Sequence, residues 1–247
     1  MRGMRSLIAV VVLSLLAGSA QAQQFDAVSI RPNNSGEQAR AFRVQPGQIM
    51  ATNVTLRHMI WNAYNITDFL VVGGPDWAAT ERFDLTAKSS SPTITPNEMR
   101  AMLRTALEDR FKLRARMVTQ ERPIYTLVRA RADRAPGPRL VSTPGPCDPS
   151  DPRRVCGFSF TGSRLSSRAV TVARLAAELR GIVERPVVDA TGLEGLYEIT
   201  LEWSPDQQGD GPSLFTALQE QLGLRLESGR GPVEVLVIDS AERPMEN

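Results

Sequence analysis

Few residues of this chain have the type and spacing to do chemistry: one histidine, two cysteines, two lysines and two nearby glutamates. His58 stands beside Met59 and Ile60, with no His-Glu-x-x-His pattern and no Cys/His cluster. Metal chemistry therefore lacks its ligand set, and His58 reads as a residue on the flank of a helix. No Gly-x-Ser-x-Gly elbow occurs. Lys88 and Lys112 neither follow a serine by three residues nor sit in a Gly-rich phosphate loop. Two carboxylates suffice for glycoside hydrolysis, so Glu198 and Glu202 carry that reading. Alternation along a strand sets them opposite Tyr197, Ile199, Leu201 and Trp203, which makes them a solvated strand face as well. Asp206-Gln207-Gln208-Gly209-Asp210-Gly211 lacks the alternating ligands and closing glutamate of a calcium loop. No catalytic residue, metal or cofactor is expected.

Cys147 and Cys156 bracket CDPSDPRRVC. A redox pair favours Cys-x-x-Cys, and a zinc site would need two more ligands in a chain with one histidine. The pair reads as a disulfide. Among the aromatics, Trp61 lies beside the apolar stripe of its helix, and Trp77 follows a Gly-Gly-Pro turn. These two are the candidate contact residues, with core packing as the alternative for both.

The elements that must position them come from an internal repeat. Leu103, Leu107, Phe111 and Leu113 match Leu214, Leu218, Leu222 and Leu224 at one offset of 111 residues. Thr55 and Thr171 are N-caps of matching helices 116 apart. That offset pairs Trp61 with Ala177, and the Gly-Gly-Pro turn before Trp77 has no counterpart. Thr95-Pro96-Asn97-Glu98 is a capping box with proline at the first helical position. Phe42–Gln45 and Gln48–Asn53 flank a Pro-Gly turn as a hairpin. Phe111–Val118 and Pro123–Ala130 read as two paired strands, and two more flank Gly229-Arg230-Gly231. Val233–Ile238 is apolar enough for a central strand covered on both faces.

The expected fold is α+β: two tandem copies of a strand-helix-strand-helix-strand-strand unit, with helices packed on mixed sheets. The first copy covers 23–131 and the second 157–247. A connection at 132–156, rich in Pro, Gly and Arg and without periodicity, joins them and carries the disulfide loop.

Residues 1–22 read as a secretory signal peptide: Arg2 and Arg5, an apolar run from Leu7 to Ala17, then Ala20-Gln21-Ala22. The run is too short to span a bilayer, and Ser19 stands where a lipidated cysteine would be, so no stable membrane anchor is expected after cleavage. Without Arg2 and Arg5, the 29 Lys and Arg fall level with the 27 Asp and Glu. A balanced surface argues against a nucleic-acid partner.

FDAVSIRPN, TNVTL, GGPDW, RFDLTAK, MLRTALEDRFKLRARMVTQERPIYTLV, RPVVDATGLEGLYEITLEW and SLFTALQEQLGLRLESGRGPVEVLVIDSAERPMEN occur in that order along nearly the whole mature chain. Together they resemble an uncharacterised soil-associated secreted family expanded in acidobacteria. Ala27-Val28 departs from the Val-Ala more usual there. The resemblance implies export and a duplicated α+β body, and brings no activity, substrate or catalytic residue. Related domains look to be fused to membrane metallopeptidases of the antibiotic-sensor type, which implies sensing or partner binding in the envelope. The expectation is an exported protein, periplasmic or extracellular, that binds an unknown envelope protein or a small ligand. A carboxylate-dependent hydrolase of envelope or soil polymers is the alternative.

Overall fold

The computed structural model describes residues 24–91, 94–130, 135–147, 156–204 and 211–244. The signal-peptide segment and the Asp206–Asp210 stretch lie outside the described residues.

The chain folds as a mixed α+β body of three four-stranded sheets. The first outer sheet holds β1 (Ala27–Pro32), β2 (Ala41–Gln45), β3 (Gln48–Val54) and β5 (Phe83–Lys88), in the order β1-β5-β3-β2. The second holds β7 (Leu140–Thr143), β8 (Gly157–Thr161), β9 (Arg164–Val170) and β11 (Leu196–Glu202), in the order β7-β11-β9-β8. The two orders are the same once each half is numbered from its own first strand, and both sheets are antiparallel throughout. Only the third, central sheet is mixed. β7 falls inside the stretch expected to be an aperiodic connection; four residues are too few to show a period.

Helices start where the sequence caps them. Thr55 accepts from the His58 N–H at the head of α1 (Leu56–Tyr64), and Thr171 accepts from Arg174 N–H at the head of α4 (Val172–Val183). Thr95 and Glu98 form the reciprocal capping box of α3 (Pro96–Arg110). A short α2 (Trp77–Thr80) follows the Gly-Gly-Pro turn. The last helix starts as α5 (Leu214–Ala217), widens into a π turn over Leu218–Leu222, and ends at Gly223 with φ 67°. Glycine is required there twice over, because a Cβ would also sit 2.7 Å from the Gly137 nitrogen.

Each half closes in one long strand, where two short ones were expected. β6 (Arg114–Arg129) and β12 (Leu224–Ser240) pair antiparallel with each other, from Leu224 opposite Arg129 to Ser240 opposite Arg114. The expected breaks are absent because the prolines cost no ladder bond. Tyr125 N–H donates to Pro186 O, and Ala190 N–H to Leu127 O, so the odd-numbered backbone groups of β6 turn away from β12. Pro123 is one of these. Pro232 takes the same outward orientation on its own strand, by its pairing with Glu121.

The flanks of this ladder are exchanged between the halves. β4 (Val71–Gly73), from the first half, lies parallel to β12, and β10 (Val187–Asp189), from the second, lies parallel to β6. The cores follow the same exchange. One collects α1, α3 and the first outer sheet, and takes Leu236 and Ile238 from β12. The other collects α4, α5 and the second outer sheet, and takes Leu127 from β6. Val233, Val235, Leu236 and Ile238 are all buried, as a central strand requires.

Candidate functional site

α1 ends at Asn65, which adopts the left-handed conformation (φ 53°, ψ 45°) and donates its N–H to Asn62 O and Trp61 O. A short polar side chain tolerates that conformation. The turn swings Ile66 and Thr67 back beside Trp61. α4 continues for another turn, to Val183, before Glu184 plays the same part. Between the C-terminal end of α1 and the body of α4 lies a cleft of about 630 Å3. The first half lines it with Trp61, Asn65, Ile66, Thr67 and, from α3, Arg100; the second lines it with Arg174, Ala177, Glu178 and Arg180.

Trp61 and Ala177, the repeat-equivalent pair, therefore line the same cleft. Trp61 is only half-buried, which leaves part of the indole free. Its other side is occupied: the His58 ring meets Trp61 edge-on at 4.5 Å and stacks on Phe42 at 5.8 Å. Burial, and then the charge of Arg40, push the His58 pKa below its ordinary value, so the imidazole is neutral and packs as a ring. The lone histidine thus positions the tryptophan.

The cleft is positively charged. Arg174 and Glu178 pair at 3.2 Å across one turn of α4, which cancels them. Arg100 donates to the neutral Asn97 side chain, and Arg180 has no acidic partner among the described residues. Two uncompensated guanidinium groups, one from each half, face the same space. Sequence reasoning named Trp61 and Ala177 but missed both arginines, because neither belongs to a motif. The offset between the halves was the one signal that could have pointed to the seam.

Trp77 lies elsewhere. It packs on Phe83 and Phe111 at 6.3 and 6.2 Å, and the guanidinium of Arg243 covers its ring at 5.2 Å. Arg243 is held there by Glu81, and Glu242 N–H donates to Phe111 O. Trp77 is the seat on which the chain's own C-terminal segment rests. Cys147 and Cys156 are disulfide-bonded, their Cα atoms 5.6 Å apart.

Glu198 and Glu202 both stand on β11, their Cα atoms roughly 13 Å apart at the rise of a strand. Glu198 faces Arg168 at 3.6 Å. Glu202 lies between Arg139 at 2.8 Å and Arg164 at 3.0 Å. The hydrogen bond from Arg139, reinforced by both charges, holds the Glu202 carboxyl below the usual carboxylate range. A general acid needs the opposite shift. Neither glutamate lines the cleft beside Trp61. Among the described residues no three His, Cys, Asp or Glu side chains gather as metal ligands, and no helix is long and apolar enough to cross a membrane.

No curated protein and no solved structure matches the chain. One family model does, over residues 57–241, from the start of α1 to just past β12, and so over both halves and the whole seam. The chain belongs to the family described as protein of unknown function, DUF3738.

Proposed function

We propose that this protein is an exported, non-enzymatic binding module, periplasmic or extracellular, that holds its ligand in the cleft between α1 and α4. The observation that carries the reading is the broken symmetry at the seam: α1 and α4 both line the cleft, and the sixth residue is a tryptophan on one and an alanine on the other. Duplication gives both helices the same backbone course, so a ligand cleft arises from changing side chains on one copy alone. The export address is supported by the signal-type start of the sequence and by a disulfide, a bond that persists in oxidising compartments.

Two variants test this. Ala177→Trp fills the cleft from its exposed side, and Trp61→Ala removes its aromatic wall. Both should abolish binding of ligands found by a thermal-shift screen of the mature chain, while circular dichroism stays that of the parent. Ligands that bind the Ala177→Trp variant as tightly as the parent would overturn the reading.

A further inference from the structure

Resting on the seam cleft as the binding site, we propose that its ligand is an acidic oligosaccharide, a run of uronate-type rings that packs a sugar face on Trp61 and meets Arg100 and Arg180 with its carboxylates. The cleft volume of about 630 Å3 lies well inside the range of ligand pockets, about 300–1,000 Å3. Trp61 is the only aromatic among its lining residues. A flat aromatic acid would gain most from a second ring to sandwich it. A sugar needs only one indole face, whose negative π cloud attracts the polarised C–H bonds of the pyranose. Asn65, Thr67 and Glu178 add donors and acceptors of the kind that hydroxyl groups use.

The charges decide between carboxylates and phosphates. Arg100 and Arg180 stand singly, on α3 and α4, rather than as a cluster. The turn that lines the cleft at Asn65–Thr67 is the C-terminal end of α1, the negative end of its dipole. That end disfavours a concentrated phosphate charge, and its polarity suits hydroxyl donors. One carboxylate per ring, spread along a chain, matches cations spread across the seam.

The test is isothermal titration of the mature protein with trigalacturonate and with its methyl ester, which keeps the rings and removes the charges. The acid should bind at least about tenfold more tightly than the ester at low salt, with an affinity that falls as salt rises. Arg100→Gln and Arg180→Gln should each cost about tenfold for the acid and leave the ester unchanged. Equal binding of acid and ester would overturn the acidic-sugar assignment and leave the cleft as a neutral binding site. Binding of neither at millimolar concentration would also overturn it, and the Ala177→Trp screen then decides separately whether the cleft binds anything.

Discussion

Trp61 and Ala177 are each the sixth residue of their helices, α1 and α4, and they line one cleft together. Restoring the symmetry should close the cleft. Because Ala177 is exposed, Ala177→Trp should leave stability within about 0.5 kcal/mol of the parent, as surface substitutions usually do. Chemical denaturation checks this, and a loss of several kcal/mol would mean that the cleft is packed more tightly than its volume implies.

The exchange of strands between the halves makes each dependent on the other. Leu127 belongs to the first half in sequence and to the core of the second half in space, fully buried. Leu127→Ala should cost about 2–5 kcal/mol. A fragment of residues 135–247, which lacks β6, should fail to fold as a monomer, since β10 loses its neighbour and the core loses Leu127. A dispersed amide NMR spectrum from monomeric fragment would contradict the account.

Acid should loosen the protein in two stages. The His58 pKa is lowered in the fold, so the unfolded chain binds the proton more readily, and stability falls as pH drops below about 6.5. His58→Phe, which keeps the ring beside Trp61 and Phe42, should flatten that limb of a melting-temperature profile. An unchanged limb would show that another group is responsible.

The second stage belongs to Glu81, whose carboxyl is held down first by its hydrogen bond to Arg243. Its contribution is present at neutral pH and is lost as pH falls below the ordinary glutamate range. The tail residue Arg243 should then leave the Trp77 ring. Glu81→Gln should raise the accessibility of Trp77 at neutral pH to what the parent shows in acid, read by fluorescence quenching, with a stability cost below about 1 kcal/mol. Quenching unaltered by the substitution would mean that Glu81 does not hold the tail.

Reduction should weaken the protein without emptying the cleft. The disulfide joins the loop between β7 and β8, the two edges of the second outer sheet, and closing ten residues contributes about 2.5–3 kcal/mol in the chain-entropy model. A lower melting temperature with ligand affinity intact is the expected pair of readings. Loss of affinity at a temperature where the protein is still folded would place the loop in the site.

What the sequence made legible was local. Thr55, Thr95 and Thr171 cap their helices, Gly223 ends the last one, and the alternation of Phe83, Leu85 and Ala87 puts all three in the core, because each effect is settled within a few residues. The long strands were misread as pairs, since Pro123 and Gly229-Arg230-Gly231 mark breaks unless their neighbours in space are known. The three-residue strands β4 and β10 carry no period to detect. Trp61 was visible as a departure between the copies. Arg100 and Arg180 were not, because what sets them apart is the lack of an acid beside each, a property of the fold rather than of the local sequence.

The most direct measurement of the central claim is an amide and indole NMR titration of the mature chain with trigalacturonate. The three tryptophans, Trp61, Trp77 and Trp203, each give one indole N–H signal. The account predicts a saturable shift of the Trp61 signal with those of Trp77, seated under Arg243, and Trp203, packed on the second core, left in place. A Trp61 signal that stays fixed while ligand binds elsewhere, or that never moves at saturating ligand, would contradict it.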